Sequence, residues 1–215
     1  MMFSFLAVLA LGFLLGVRHA ADPDHVVAVS TIVTRSRSVG RAATVGALWG
    51  AGHTATILLV GGAIILFKLT ITPRIGLAME LAVAAMLIAL GLVNLLGKPP
   101  ASDAAFAPVR PVMIGFVHGL AGSAAVALLV LTTIADPRWS LAYLLVFGVG
   151  TVVGMMLITA AIAVPLRFGA VRIGGLHQHL RLASGALSVA LGLFLVHQIG
   201  IVDGLFTADP RWTPH

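Results

Sequence analysis

The segment Gly16-Val-Arg-His-Ala-Ala-Asp-Pro-Asp-His-Val-Val-Ala28 places Arg18, His19, Asp22, Asp24 and His25 inside an otherwise apolar run, Phe3–Val33. A charge at mid-bilayer costs roughly 2.5–3.5 kcal/mol on insertion scales. A group this polar therefore needs partners, water or a bound ion. Imidazole nitrogens and carboxylate oxygens gathered in one place suit a divalent transition metal. The chain has no cysteine, which excludes disulfides, thiol redox chemistry and thiolate ligation. A site without soft thiolates also suits an ion that has to be released. His19 and Asp22, and Asp22 and His25, are each three residues apart and can share a helix face.

The backbone adds to this. Pro23 has no N–H, so the carbonyl of His19 loses its helical partner four residues on. Asp22, preceding a proline, is biased away from helical angles. Asp22 as N-cap and Pro23 as first helical residue form a standard helix start. The expectation is a helix broken at Ala20–Asp22, with irregular backbone tolerated at membrane depth because it lines a cavity. The alternative is a topology device in which the cluster merely ends a short helix and Pro23–Thr34 lies at the surface.

A second candidate element is Trp49-Gly-Ala-Gly-His-Thr-Ala-Thr56. His53 sits among small residues that let another helix approach closely, so it can reach the first cluster and complete a ligand set. The alternative is a histidine hydrogen-bonded to a neighbouring helix. Thr54 is a pathway candidate, although Thr54 and Thr56 are also placed to bond their own helix backbone. His118, in the glycine-dense Gly115-Phe-Val-His-Gly-Leu-Ala-Gly-Ser123, is a pathway or a packing residue, and Ser123 is a weaker candidate. Glu80 is placed to snorkel or to pair with Arg74, and Asn94 to bond across helices. His177 and His179 fall in a link, His197 is interfacial or packing, and the tail with Asp203, Asp209 and His215 is unassigned.

The elements that must position these groups are membrane helices. The chain has 215 residues, of which 60% are hydrophobic and 9% charged, with a mean hydropathy of +1.10. Soluble domains are about 25% charged, so a soluble globular protein and a disordered one are both excluded. Six apolar runs approach the length of about 20 residues that a bilayer-crossing helix needs: Phe3–Val33, Ala42–Phe67, Ile75–Leu96, Val112–Ala135, Leu141–Leu166 and Leu180–Val202. Short links join them, including Lys68–Arg74, Asp136–Ser140 and Arg167–His179. Met1–Ala10 holds no Lys or Arg, so a signal peptide is not expected. The net charge of +6 comes from basic residues in links, which points to membrane topology rather than to nucleic acid. Eight of them fall in or beside the odd-numbered links and four on the other side. By the positive-inside tendency the odd links face the cytoplasm and both termini face outward.

Three short elements recur in order. Gly16-Val-Arg-His19 matches Gly115-Phe-Val-His118, Trp49-Gly-Ala-Gly52 matches Phe147-Gly-Val-Gly150, and Ala89-Leu-Gly-Leu92 matches Ala190-Leu-Gly-Leu193, at offsets of 99, 98 and 101 residues. Each unit holds an odd number of spans, so the second enters the membrane from the opposite side. Secondary transporters use such inverted repeats, with a site near the midplane at the repeat interface. The alternative is chance similarity between glycine-rich apolar helices. The expected fold is all-α: a polytopic membrane protein of about six transmembrane helices in a 3+3 inverted repeat, its first helix broken near Asp22-Pro23. Residues 1–97 form the first repeat, 98–111 a cytoplasmic linker, 112–203 the second repeat and 204–215 a tail.

Arg18-His-Ala-Ala-Asp-Pro-Asp-His-Val26 resembles the signature of the NiCoT-type nickel/cobalt permeases, a His-Ala-x-x-Asp-x-Asp-His pattern within a membrane helix. Gly52-His53-Thr54 resembles that family's second signature, on the next helix. Larger members have eight spans and a later Asp-Thr-Ala-Thr-Glu element; here Gly119-Leu-Ala-Gly-Ser-Ala-Ala125 stands in its place. The chain thus looks like the shorter, urease-associated branch. The resemblance implies uptake of Ni2+ or Co2+ across a bacterial or archaeal cell (inner) membrane, with His19, Asp22, Asp24, His25 and His53 as the metal-binding positions. Arg18, Thr54, His118 and Ser123 are lesser pathway candidates. It implies no catalytic residue and no resident cofactor, the metal being cargo. Urease or hydrogenase maturation metallochaperones are the implied soluble partners. Two other classes stay open on the residues alone: a proton-coupled exporter of another solute, in which His and Asp relay protons, and an intramembrane metalloenzyme. The latter lacks the His-Glu-x-x-His element of many metalloproteases.

Overall fold

The computed structural model describes residues 2–34, 38–97, 107–120, 134, 136–172 and 176–212. These form α1 (Met2–His19), α2 (Pro23–Val33), α3 (Val39–Phe67), α4 (Pro73–Leu96), α5 (Val109–His118), α6 (Pro137–Arg172) and α7 (Leu176–His197). A π-helical turn, Gln198–Val202, extends α7. No strand occurs among the described residues.

Among the described residues, four helical stretches are long and apolar enough to cross a bilayer: Val39–Phe67, Pro73–Leu96, Pro137–Pro165 and His177–Val202. Leu6–His19 and Pro23–Val33 reach that length and apolarity only together, bent by 55° at the break, as a broken span or a re-entrant loop. Of the expected fourth run, the ten-residue helix α5 covers only the first part, from Val112 to His118, and the stretch 121–133 lies outside the described residues. The chain is thus an all-helical, polytopic membrane protein. Its polarity is inverted relative to a soluble one: Leu14, Leu66, Phe67, Leu96 and Phe194 are exposed, while His25, His53 and His118 are among the largest fully buried side chains. Lipid tails are as apolar as leucine, so only the apolar outer surface is cheap to leave unpaired.

Local chemistry sets the helix ends. Ser38 caps α3 by accepting the N–H of Arg41 at 3.2 Å, and Lys68 ends it in the left-handed conformation at φ 53°. Pro23 and Pro73 start α2 and α4, where a missing N–H costs nothing. The expected link Arg167–His179 is shorter than its polarity suggested. α6 continues through Pro165 to Arg172, since a proline removes one hydrogen bond and arginine is a good helix former. His177 and His179 lie in the first turn of α7 rather than in a solvated link.

The helices pack as α1 on α6, α3 on both α5 and α6, and α4 on α7. Membrane helices gain from close approach of small residues, and the glycines here do so in matched pairs. A Cβ at Gly16 would strike the carbonyl oxygen of Phe147, and one at Gly115 that of Trp49. Gly52 faces the carbonyl of Val112, and Gly150 that of Phe13. A Cβ at Gly91 would sit 2.6 Å from the Gly185 oxygen, and one at Gly192 2.9 Å from that of Ala84. Asn94 bonds across helices as expected, donating to the Thr31 oxygen at 2.8 Å. Glu80 Oε1 accepts the indole N–H of Trp212 at 2.8 Å, because the C-terminal tail folds back over Gly76.

Candidate metal centre

The break between α1 and α2 follows from Asp22-Pro23. Asp22 adopts φ −59° and ψ 144°, the extended backbone that a following proline favours. Its carbonyl accepts the Val26 N–H at 3.0 Å and so opens α2. The carbonyl of His19 is not left free, contrary to expectation. The Asp22 N–H reaches it at 3.0 Å in a tight turn. Nor does the Asp22 side chain cap α2; it turns back to His19.

Among the described residues, four histidines converge on this break. His19 ends α1, His25 lies in the first turn of α2, His53 in the middle of α3, and His118 ends α5. They are 5%, 0%, 1% and 0% exposed, which excludes the reading of the cluster as a surface helix start. His25 is central: its ring centroid lies 4.6 Å from that of His19, 4.9 Å from His53 and 4.4 Å from His118. The Nε2 atoms of His19 and His53 stand 3.0 Å apart.

Two carboxylates orient the rings. His19 Nδ1 donates to Asp22 Oδ2 at 2.8 Å. Asp24 uses both oxygens, accepting from His25 Nδ1 and from His118 Nε2, each at 3.0 Å. In a neutral imidazole one nitrogen donates and the other keeps a lone pair. A proton held on one nitrogen by a carboxylate therefore turns the other into a ligand, the arrangement of carboxylate–histidine–metal sites. His25 Nε2 and His118 Nδ1, the nitrogens opposite the Asp24 bonds, are both buried without a hydrogen-bond partner, as is His53 Nδ1. Among the described residues two triplets bring ligand atoms within 4.8 Å of one another: His19, His25 and His53, and Asp24, His25 and His118.

No protein-family profile and no solved structure matches the chain. A curated relative does. The Urease accessory protein UreH of Bacillus sp. (strain TB-90) is 35% identical over 218 residues, covering 94% of this chain and 95% of the relative. The chain belongs to the UreH family, within the urease-associated NiCoT-type nickel/cobalt permeases. UreH-family proteins are not enzymes, so the metalloenzyme reading falls.

In this UreH-family chain, the fold gathers His19, Asp22, Asp24, His25 and His53. It does not bring in Arg18, whose side chain is exposed. Thr54 is committed elsewhere: its hydroxyl donates to the Gly148 oxygen of α6 at 3.1 Å, since small residues there bring that backbone within reach. Thr56 bonds its own helix at Gly52 and also the Phe116 oxygen at 2.7 Å. Ser123 lies outside the described residues. His118 joins the cluster through Asp24. Trp49 was not singled out in the sequence, yet its buried ring lies 5.5 Å from that of His25 and 5.4 Å from that of His118. Phe147 flanks His19 at 5.6 Å in the same way. The signal for both was the match of Trp49-Gly-Ala-Gly52 to Phe147-Gly-Val-Gly150.

Proposed function

We propose that this UreH-family permease takes up nickel or cobalt ions, binding them through His19, His25 and His53 with Asp22 and Asp24 holding the rings. The observation that carries this is the convergence of three buried histidines from α1, α2 and α3 at a break within the first membrane span. Two imidazole nitrogens about 2.0–2.1 Å from one ion and at right angles around it would stand about 3.0 Å apart. The His19–His53 separation fits that edge. Square or octahedral nitrogen and oxygen sites suit Ni2+.

The matched glycine contacts support a 3+3 inverted repeat and, with it, a transport cycle. Under exchange of the halves, the pair Gly16 and Phe147 becomes Gly115 and Trp49, and the pair Gly150 and Phe13 becomes Gly52 and Val112. In this reading residues 1–97 and 112–203 are two units that move against each other around the site, giving alternating access. Both termini lie outside, and the membrane potential draws a dication inward with about 4.6 kcal/mol per 100 mV. A urease-maturation metallochaperone takes the ion on the cytoplasmic side. Cells expressing wild type or His19→Ala are compared for radioactive nickel and cobalt accumulation. Wild type is expected to accumulate at least one of them and the variant to lose it; equal accumulation in both would end this reading.

A further inference from the structure

We propose that the cluster is not one four-histidine site but two seats for a single cation that share His25. This rests on the transport reading above. The first seat is His19, His25 and His53; the second is Asp24, His25 and His118, built jointly by α2 and α5. An ion bound at about 2.0–2.1 Å to each ligand holds any two of them no more than about 4.2 Å apart. Among the described residues the ligand atoms come within 4.8 Å of one another as two triplets and not as one larger set, a spread that small movements of the rings would close onto an ion. The His53 and His118 rings, which head the two seats, stand 6.0 Å apart, farther than either stands from His25.

His25 fits the shared position because its ring packs against the rings of both seats, at 4.6 Å from His19, 4.9 Å from His53 and 4.4 Å from His118. Nδ1 meets Asp24 at 3.0 Å, and Asp24 also holds His118. Nε2 is buried and without a hydrogen-bond partner. An ion stepping between seats keeps the imidazole of His25 as a neighbour throughout; at the second seat the ion takes the place of the Nδ1 proton that Asp24 accepts, and the vacated Nε2 takes a proton up, so that the ring stays neutral. It exchanges two neutral histidines for a carboxylate and one histidine. Such a step divides the release of a dication into two smaller ones. It also requires the second half of the chain to supply a ligand, although that half has no carboxylate matching Asp22 or Asp24.

The test uses purified full-length protein in lipid nanodiscs for Ni2+ calorimetry and nickel-edge X-ray absorption, with uptake measured in cells at matched protein abundance. His118→Gln and His118→Ala each remove a ligand of the second seat and leave the first seat whole, so that misfolding of one leaves the other. Both are expected to bind Ni2+ within about threefold of wild type, with the histidine count at the ion unchanged, while uptake falls by at least about tenfold. Asp24→Asn, which also takes the carboxylate from His25 Nδ1, is expected to lose affinity by roughly 10–100-fold as well as uptake. His53→Gln is expected to lose at least about tenfold in affinity, and His25→Gln to lose binding altogether. Wild-type uptake by His118→Gln would overturn the proposal. So would an affinity loss in His118→Gln equal to that in His53→Gln, which would mean one joint site. Failure of the wild type to bind or move either metal would instead overturn the transport reading itself.

Discussion

His118 Nε2 donates to Asp24 Oδ2 at 3.0 Å and thereby ties the end of α5 to the first turn of α2, 94 residues earlier in the chain. The same carboxylate holds His25 through its other oxygen. One aspartate thus fixes two imidazoles on different helices, and its bonds leave His25 Nε2 and His118 Nδ1 as the open nitrogens. A corresponding but simpler arrangement joins Asp22 to His19.

That relationship sets the expected behaviour of Asp22→Asn. The amide keeps an oxygen that accepts the His19 N–H but loses the negative charge that raises the basicity of the ring. Replacing such an outer partner costs 10–100-fold in metal affinity, roughly. Ni2+ calorimetry is expected to show a loss in that range with folding intact. Affinity equal to wild type would show that Asp22 does not act on the site.

Close approach of the helices is testable at matched glycines. Gly16→Ala and Gly115→Ala drive a methyl into a backbone carbonyl, which cannot turn away as a side chain does. Overpacking of this kind costs roughly 1–3 kcal/mol. Thermal unfolding in detergent is expected to show similar losses for the two. Gly62→Ala is the control, since its added methyl meets nothing nearer than Leu141 at 4.0 Å. It is expected to be neutral or to stabilise by up to about 1 kcal/mol.

Thr54 stands next to His53, and its hydroxyl reaches the backbone of α6. Thr54→Val removes the hydroxyl that bonds the Gly148 oxygen and is expected to cost about 1 kcal/mol of stability. Metal uptake per folded molecule should stay at the wild-type level. A selective loss of uptake with unchanged stability would place Thr54 in the ion path after all.

The sequence made the helical membrane architecture and the break legible for physical reasons. Long apolar runs have few other structures open to them in lipid, and Asp22-Pro23 removes both helical angles and a donor at one point. It did not make the carboxylate pairing legible. A three-residue spacing suggested Asp22 with His25, but the helix restarts at Pro23 and resets the periodicity, so His25 pairs with its neighbour Asp24 instead. The spacing of His19 and Asp22 survived because the intervening turn brings the two side chains together. His118 carried a weaker signal. Its repeat position pointed to it, but the surrounding glycines offered no charged partner, and that partner comes from α2. The fates of Thr54, Glu80 and Arg18 depend on which tertiary neighbour comes within reach, which local spacing does not encode.

The most direct test of the account is anomalous diffraction at the nickel edge from crystals of the full-length protein grown with saturating Ni2+. The expected result is a peak among α1, α2 and α3, about 2.0–2.1 Å from nitrogens of His19, His25 and His53. A peak only at surface histidines such as His179, with none among these three buried rings, would contradict it.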